Sequence, residues 1–74
     1  MTRNHQPSPE RDHIIRMPQV IAQTGLPKSS VLRLVKSAAF PSPLRLTPHT
    51  IGFLQSEVDH WIATRPRAES RHEA

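Results

Sequence analysis

Cysteine is absent from this 74-residue chain. That excludes disulfides and thiolate metal sites as reinforcement of the core. Five histidines, His5, His13, His49, His60 and His72, are scattered rather than grouped at metal-ligand spacing, so no structural metal and no other cofactor is expected. No apolar run approaches the ~20 residues that span a bilayer. The opening "MTRNHQPSPERD" has no apolar segment of the signal-peptide kind. A cytoplasmic protein is expected, with no membrane partner and no small-molecule ligand. No nucleophile stands beside a base, and the close acids Glu57 and Asp59 are explained by a helix N-terminus, so no enzymatic activity is expected.

The most informative absence is local. From residue 14 to residue 54 the chain carries Arg16, Lys28, Arg33, Lys36 and Arg45 and not one Asp or Glu. The acids, Glu10, Asp12, Glu57, Asp59, Glu69 and Glu73, all lie outside that window. The net charge is +4 and the isoelectric point about 11.2. Any small soluble protein needs some net charge, but solubility does not require this segregation. An acid-free segment offers a polyanion no repulsion, which favours nucleic acid as the partner.

What is present is one small domain with room for one core. Residues 1–12 are polar, contain Pro7 and Pro9, and show no apolar period, so they read as a disordered N-terminal arm. Residues 66–74, "PRAESRHEA", read as a disordered tail, which leaves residues 13–65 as the folded domain. Within it Pro18 suits the first turn of a helix and Gly25 the position just past a helix end, bracketing a helix over residues 18–24. A second helix is expected from residue 27 or 28 to about 38. Val31, Leu34, Val35 and Ala38 form its packed face, and Lys28, Ser29, Leu32, Arg33 and Lys36 its outer one.

Pro41 and Pro43 then forbid a helix. The runs "LRL" and "IGFL" flank the turn "TPHT" and make a hairpin. A third helix covers "QSEVDHWIATR", with Ser56 as N-cap in an approximate capping box with Asp59. Val58, Trp61 and Ile62 fall on one face, which makes core packing rather than base stacking the role of Trp61. The order helix, tight turn, helix, hairpin, helix is that of a small winged helix-turn-helix. The fold class is mainly α: three short helices plus a two-stranded β-hairpin wing, with disordered termini.

The residues also carry a family resemblance. "IIRMPQVIAQTGLPKSSVLRLVKSAAFPSPLRL" followed by "IGFLQSEVDHWI" resembles the AlpA-type prophage regulators, small relatives of phage excisionases and of the MerR-like DNA-binding domain. The likeness spans roughly residues 14–63. It rests on an R-hydrophobic-P opening, a T-G-L turn, an R-L-hydrophobic-K run, F-P-x-P, and a closing segment of the form V-G-W-L-x-S-E-V-D-x-W-I. The resemblance implies sequence-specific binding to duplex DNA by a transcriptional regulator, with the second helix in the major groove and the wing on the neighbouring backbone or minor groove. The chain departs from the pattern at Pro27, where Ser or Thr is common, at Leu32 for Tyr, at Ala38 for Gly, at Phe53 for Trp, and at His49 for a basic wing-tip residue.

Lys28, Ser29, Arg33 and Lys36 are the foremost expected DNA contacts, because a helix in the groove presents its N-terminal turns and outer face to base edges and phosphates. Arg33 has the fork geometry for guanine O6 and N7, while Lys28 and Lys36 suit phosphates. Ser29 or Ser30 could donate to a phosphate at the helix N-terminus. Leu32 could meet a thymine methyl or a partner protein. Arg45 and His49 on the wing and Arg16 before the first helix are expected backbone contacts. Double-stranded DNA is thus the expected partner of a cytoplasmic, nucleoid-associated protein. A homo-oligomer or a cooperative head-to-tail assembly on the DNA is expected to supply the affinity that one small domain lacks. Two other readings remain at this point: an excisionase that bends attachment-site DNA, and a protein-interaction module whose basic face docks on an acidic partner.

Overall fold

Prolines and a glycine cut the first half of the chain into its helices. The structure, a computed structural model, describes residues 12–68. Residues 1–11 of the expected arm and residues 69–74 of the expected tail lie outside the described residues. Helix α1 (Met17–Thr24) has Pro18 in its first turn and ends on Gly25 in the left-handed conformation, φ 75°. The Thr24 hydroxyl donates to the Val20 carbonyl at 2.8 Å and accepts from the Leu26 N–H at 3.3 Å. The T-G-L turn therefore satisfies its own polar groups before Pro27, in extended geometry, opens helix α2 (Lys28–Lys36).

Helix α2 stops two residues short of the expected end at residue 38. Ala38 takes a left-handed φ of 64°, where glycine is the usual residue. The Ala39 N–H donates to the Leu34 carbonyl at 2.8 Å and the Ala38 N–H to the Val35 carbonyl at 3.1 Å, the paired bonds of a Schellman turn. Ala38 is accordingly exposed rather than part of the packed face.

The hairpin consists of β2 (Leu44–Thr47) and β3 (Thr50–Leu54), antiparallel with Leu44 opposite Gly52, Arg45 opposite Ile51, and an irregularity before the Thr47–Thr50 pair. A third strand joins it. β1 (Ile14–Ile15) pairs antiparallel with the other edge of β3, placing Ile14 opposite Leu54 and Ile15 opposite Phe53, in the order β1-β3-β2. Two residues are too short to show a period of two, which is why the sequence did not announce this strand.

Helix α3 (Gln55–Ala63) has Leu54, not Ser56, at its N-cap position, and no side-chain capping bond from it. The expected Ser56–Asp59 capping box is not formed. The Ser56 N–H donates instead to Asp12 Oδ1 at 3.0 Å, and Ser56 Oγ donates to Asp12 Oδ2 at 2.6 Å. A carboxylate 44 positions away in sequence thus does the work of an N-cap. Asp59 accepts from Gln55 Nε2 at 2.9 Å. Gln55 and Gln23 exchange amide hydrogen bonds at 2.7 and 3.1 Å, tying α3 to α1.

Every element but β2 contributes to the core: Ile15 from β1, Val20 from α1, Val31 from α2, Phe53 from β3 and Val58 from α3, with Phe40 from the segment after α2. Phe40 meets Phe53 edge-on at 5.6 Å between ring centroids and Trp61 at 4.8 Å. The aromatics are packing residues, as helical spacing indicates for Trp61, and offer no exposed stacking platform.

Candidate nucleic-acid interface

The buried side of α2 fixes which residues its other side presents. Val31 is fully buried, and Leu34 and Val35 pack against the core. At 3.6 residues per turn, Lys28, Leu32, Lys36, Ser29 and Arg33, in that order around the helix, occupy an opposite arc of about 140°. All five are exposed. The structure therefore brings together five of the nine residues expected to touch DNA. Ser30 is half-buried and lies off that arc, so of the two serines Ser29 is the one placed with the cations.

The ends of α2 suit an anion at one end and cations at the other. Pro27 forms no side-chain cap; its carbonyl accepts from the Ser30 N–H at 3.0 Å, and the Lys28 and Ser29 N–H groups at the positive end of the helix dipole face an incoming oxyanion. Arg33 and Lys36 occupy the last turn, where the dipole favours positive charge.

The remaining expected contacts are elsewhere. Arg45 and His49 are exposed on the hairpin, His49 in the turn between β2 and β3. Arg45 Nη1 donates to the Pro48 carbonyl at 3.0 Å, so this guanidinium also braces the tip. Arg16 is exposed at the head of α1, where its N–H donates to Gln19 Oε1 at 2.7 Å.

The acids gather on another helix. Among the described residues they are Asp12, Glu57 and Asp59, and all stand at the start of α3: Glu57 in its first turn, Asp59 bonded to Gln55, and Asp12 brought there by Ser56. The Ser56 hydroxyl, with the N–H groups of Ser56 and His13, holds the Asp12 carboxyl below its ordinary range. The same two bonds to Ser56 fix Asp12 at the start of α3.

The sequence reading marked Ala38 as standing where the family has glycine, without giving it the left-handed geometry that terminates this helix, and it missed Arg65. Arg65 stacks over Trp61 at 4.1 Å from the ring centroid and donates from Nε to the Trp61 carbonyl at 2.9 Å. Only the position of Arg65, four residues beyond an aromatic in a helical stretch, could have signalled it.

Known proteins resemble the chain over this same region. Residues 13–66 match the family described as "Prophage CP4-57 regulatory protein (AlpA)". The chain is 29% identical to the "Uncharacterized protein ORF88" of Enterobacteria phage P4, over 88% of this chain and 74% of that protein. It is 28% identical to the "DNA-binding transcriptional activator AlpA" of Escherichia coli (strain K12), over 70% of this chain and 83% of that protein. No solved structure matches it with comparable significance.

Proposed function

The chain belongs to the family of the prophage regulatory protein AlpA, and on that premise we propose that it is a sequence-specific regulator that binds double-stranded DNA and controls genes of a prophage or integrative element. The observation that carries this reading is the exposed arc of α2, with Lys28, Arg33 and Lys36 and no acid on the helix. In this reading α2 lies in the major groove, its lysines neutralise phosphates, and Arg33 pairs with guanine. Arg45 and His49 bring the hairpin to the adjacent backbone, and Arg16 adds a phosphate contact. The protein acts by occupying DNA and catalyses nothing.

One domain of this size covers a short half-site, so neighbouring copies on the DNA supply the remaining affinity. Sedimentation with and without bound duplex measures that assembly. Sequencing the genomic fragments that the bound protein protects from nuclease tests the proposal as a whole. A shared motif near integrase or other mobile-element genes is the expected result, and protected fragments with no common motif contradict it.

A further inference from the structure

Leu32 is 42% exposed in the middle of a helix whose other exposed side chains are all polar. Leu34 packs against the core on the opposite side of α2, and Val35, about 60° around the helix from Leu32, packs against the core at the near edge of the exposed arc. Around the arc Leu32 falls between Lys28 and Lys36, one helical turn from each. Those two lysines are about 12 Å apart along the helix axis, comparable with the ~12 Å width of the major groove. When both ammonium groups reach phosphates, the side chain midway between them is directed at base edges rather than at the backbone.

An apolar side chain in that position has one rewarding contact. Among the groups that base pairs present in the major groove, the C5-methyl of thymine is the apolar one, and the rest are hydrogen-bond donors and acceptors that Leu32 cannot satisfy. We propose that Leu32 is a specificity-determining residue that selects a C5-methylated pyrimidine, thymine in unmodified DNA, at one position of the bound site. The proposal rests on the DNA-binding reading of α2 and adds to it the identity of one base. A protein partner is the competing occupant. The two flanking lysines favour DNA, because a protein surface that received Leu32 would also have to neutralise both.

The test uses the full chain and a duplex that it selects from a randomised pool. Each thymine of that duplex is replaced in turn by uracil, which removes the methyl and leaves every hydrogen-bonding group unchanged. Affinities are measured for the native protein and for Leu32→Ala. The expected result is one position where uracil weakens native binding about fourfold, the scale of one buried methyl, and where Leu32→Ala is insensitive to the change. At the same position, cytosine and 5-methylcytosine should differ for the native protein and not for the variant. The substitution is on an exposed face, and an unchanged thermal transition confirms that the variant folds.

Equal uracil sensitivity in both proteins, or none in either, overturns the proposal while salt-sensitive binding to the unmodified duplex leaves the DNA-binding reading intact. Unchanged DNA affinity in Leu32→Ala likewise overturns it. If no duplex is selected at all, the DNA-binding reading fails, and this assignment with it.

Discussion

The indole N–H of Trp61 donates to the backbone carbonyl of Ala39 at 2.7 Å, so α3 grips the turn that ends the basic helix. The bond links the core aromatic on α3 to the segment of Ser37, Ala38 and Ala39 where α2 gives way to Phe40. Replacing Trp61 with Phe keeps a ring against Phe40 but removes the donor. A loss of about 1 kcal/mol in denaturant unfolding is expected from the hydrogen bond alone. An unchanged midpoint would show that the carbonyl is equally well satisfied by water.

The two helix ends that use left-handed backbone predict opposite responses to the same pair of residues. Ala38 holds φ 64° with a side chain, whereas Gly25 holds φ 75° without one. Left-handed geometry costs an ordinary residue roughly 1–2 kcal/mol, and glycine's unfolded-state entropy offsets about half of any gain from introducing it. Ala38→Gly should therefore stabilise the domain by about 0.5–1 kcal/mol. Gly25→Ala should destabilise it by about 1 kcal/mol, although no atom lies within 4 Å of the added methyl. Chemical denaturation of both variants checks the signs.

Gly52 presents a different constraint, one of space. A Cβ there would stand 2.5 Å from Ile14 Cγ2, 3.1 Å from Leu46 Cδ1 and 3.3 Å from the Ile15 carbonyl oxygen. Isoleucine is stiff at χ1, and β1 is held to β3 by only two residue pairs. Gly52→Ala should cost about 1–3 kcal/mol and loosen β1. Hydrogen exchange at Gln55, whose N–H donates to the His13 carbonyl at 2.7 Å, should accelerate more than exchange within α1.

Asp12 makes the start of α3 sensitive to acid. Its carboxyl is held below its ordinary value chiefly by the Ser56 hydroxyl. A depressed carboxylate contributes stability that is fully present above the unfolded-state value and is lost as pH falls through the folded-state value. Asp12→Asn should be less stable than the native protein at neutral pH. The gap should close as pH drops below the ordinary carboxylate range. Urea midpoints of both proteins across that range measure it, and a gap that stays constant into strong acid contradicts the role given to Asp12.

The helices were legible because single residues mark their ends. Pro18, Gly25 and Pro27 bracket α1 and open α2, and within α2 and α3 the spacing of Val31 to Leu34 and Val35, and of Val58 to Trp61, puts these residues on the core side. The hairpin was legible from the prolines on either side of "LRL" and the turn "TPHT". What the sequence hid was non-local or unusual. Asp12 reaches Ser56 across 44 positions, and no local pattern distinguishes it from the arm that precedes it. β1 is two residues long. Ala38 adopts a glycine conformation because the Schellman bonds and the Trp61 clamp overrule its own preference. On the candidate site, charge pattern and helical period located the arc on α2 without Ser30, while only the structure showed Ser30 half-buried and Arg45 engaged in its own turn.

The central claim is that the exposed arc of α2 neutralises the phosphates of duplex DNA. The most direct measurement is the affinity of the native protein and of Lys36→Ala for a selected duplex across a salt series. Binding should weaken linearly in log–log form, by about 0.9 in slope for each neutralised phosphate. Lys36→Ala should lower the magnitude of the slope by about one and weaken all duplexes alike. Affinity that stays flat between low and moderate salt, or a Lys36→Ala slope equal to the native one, would contradict the account.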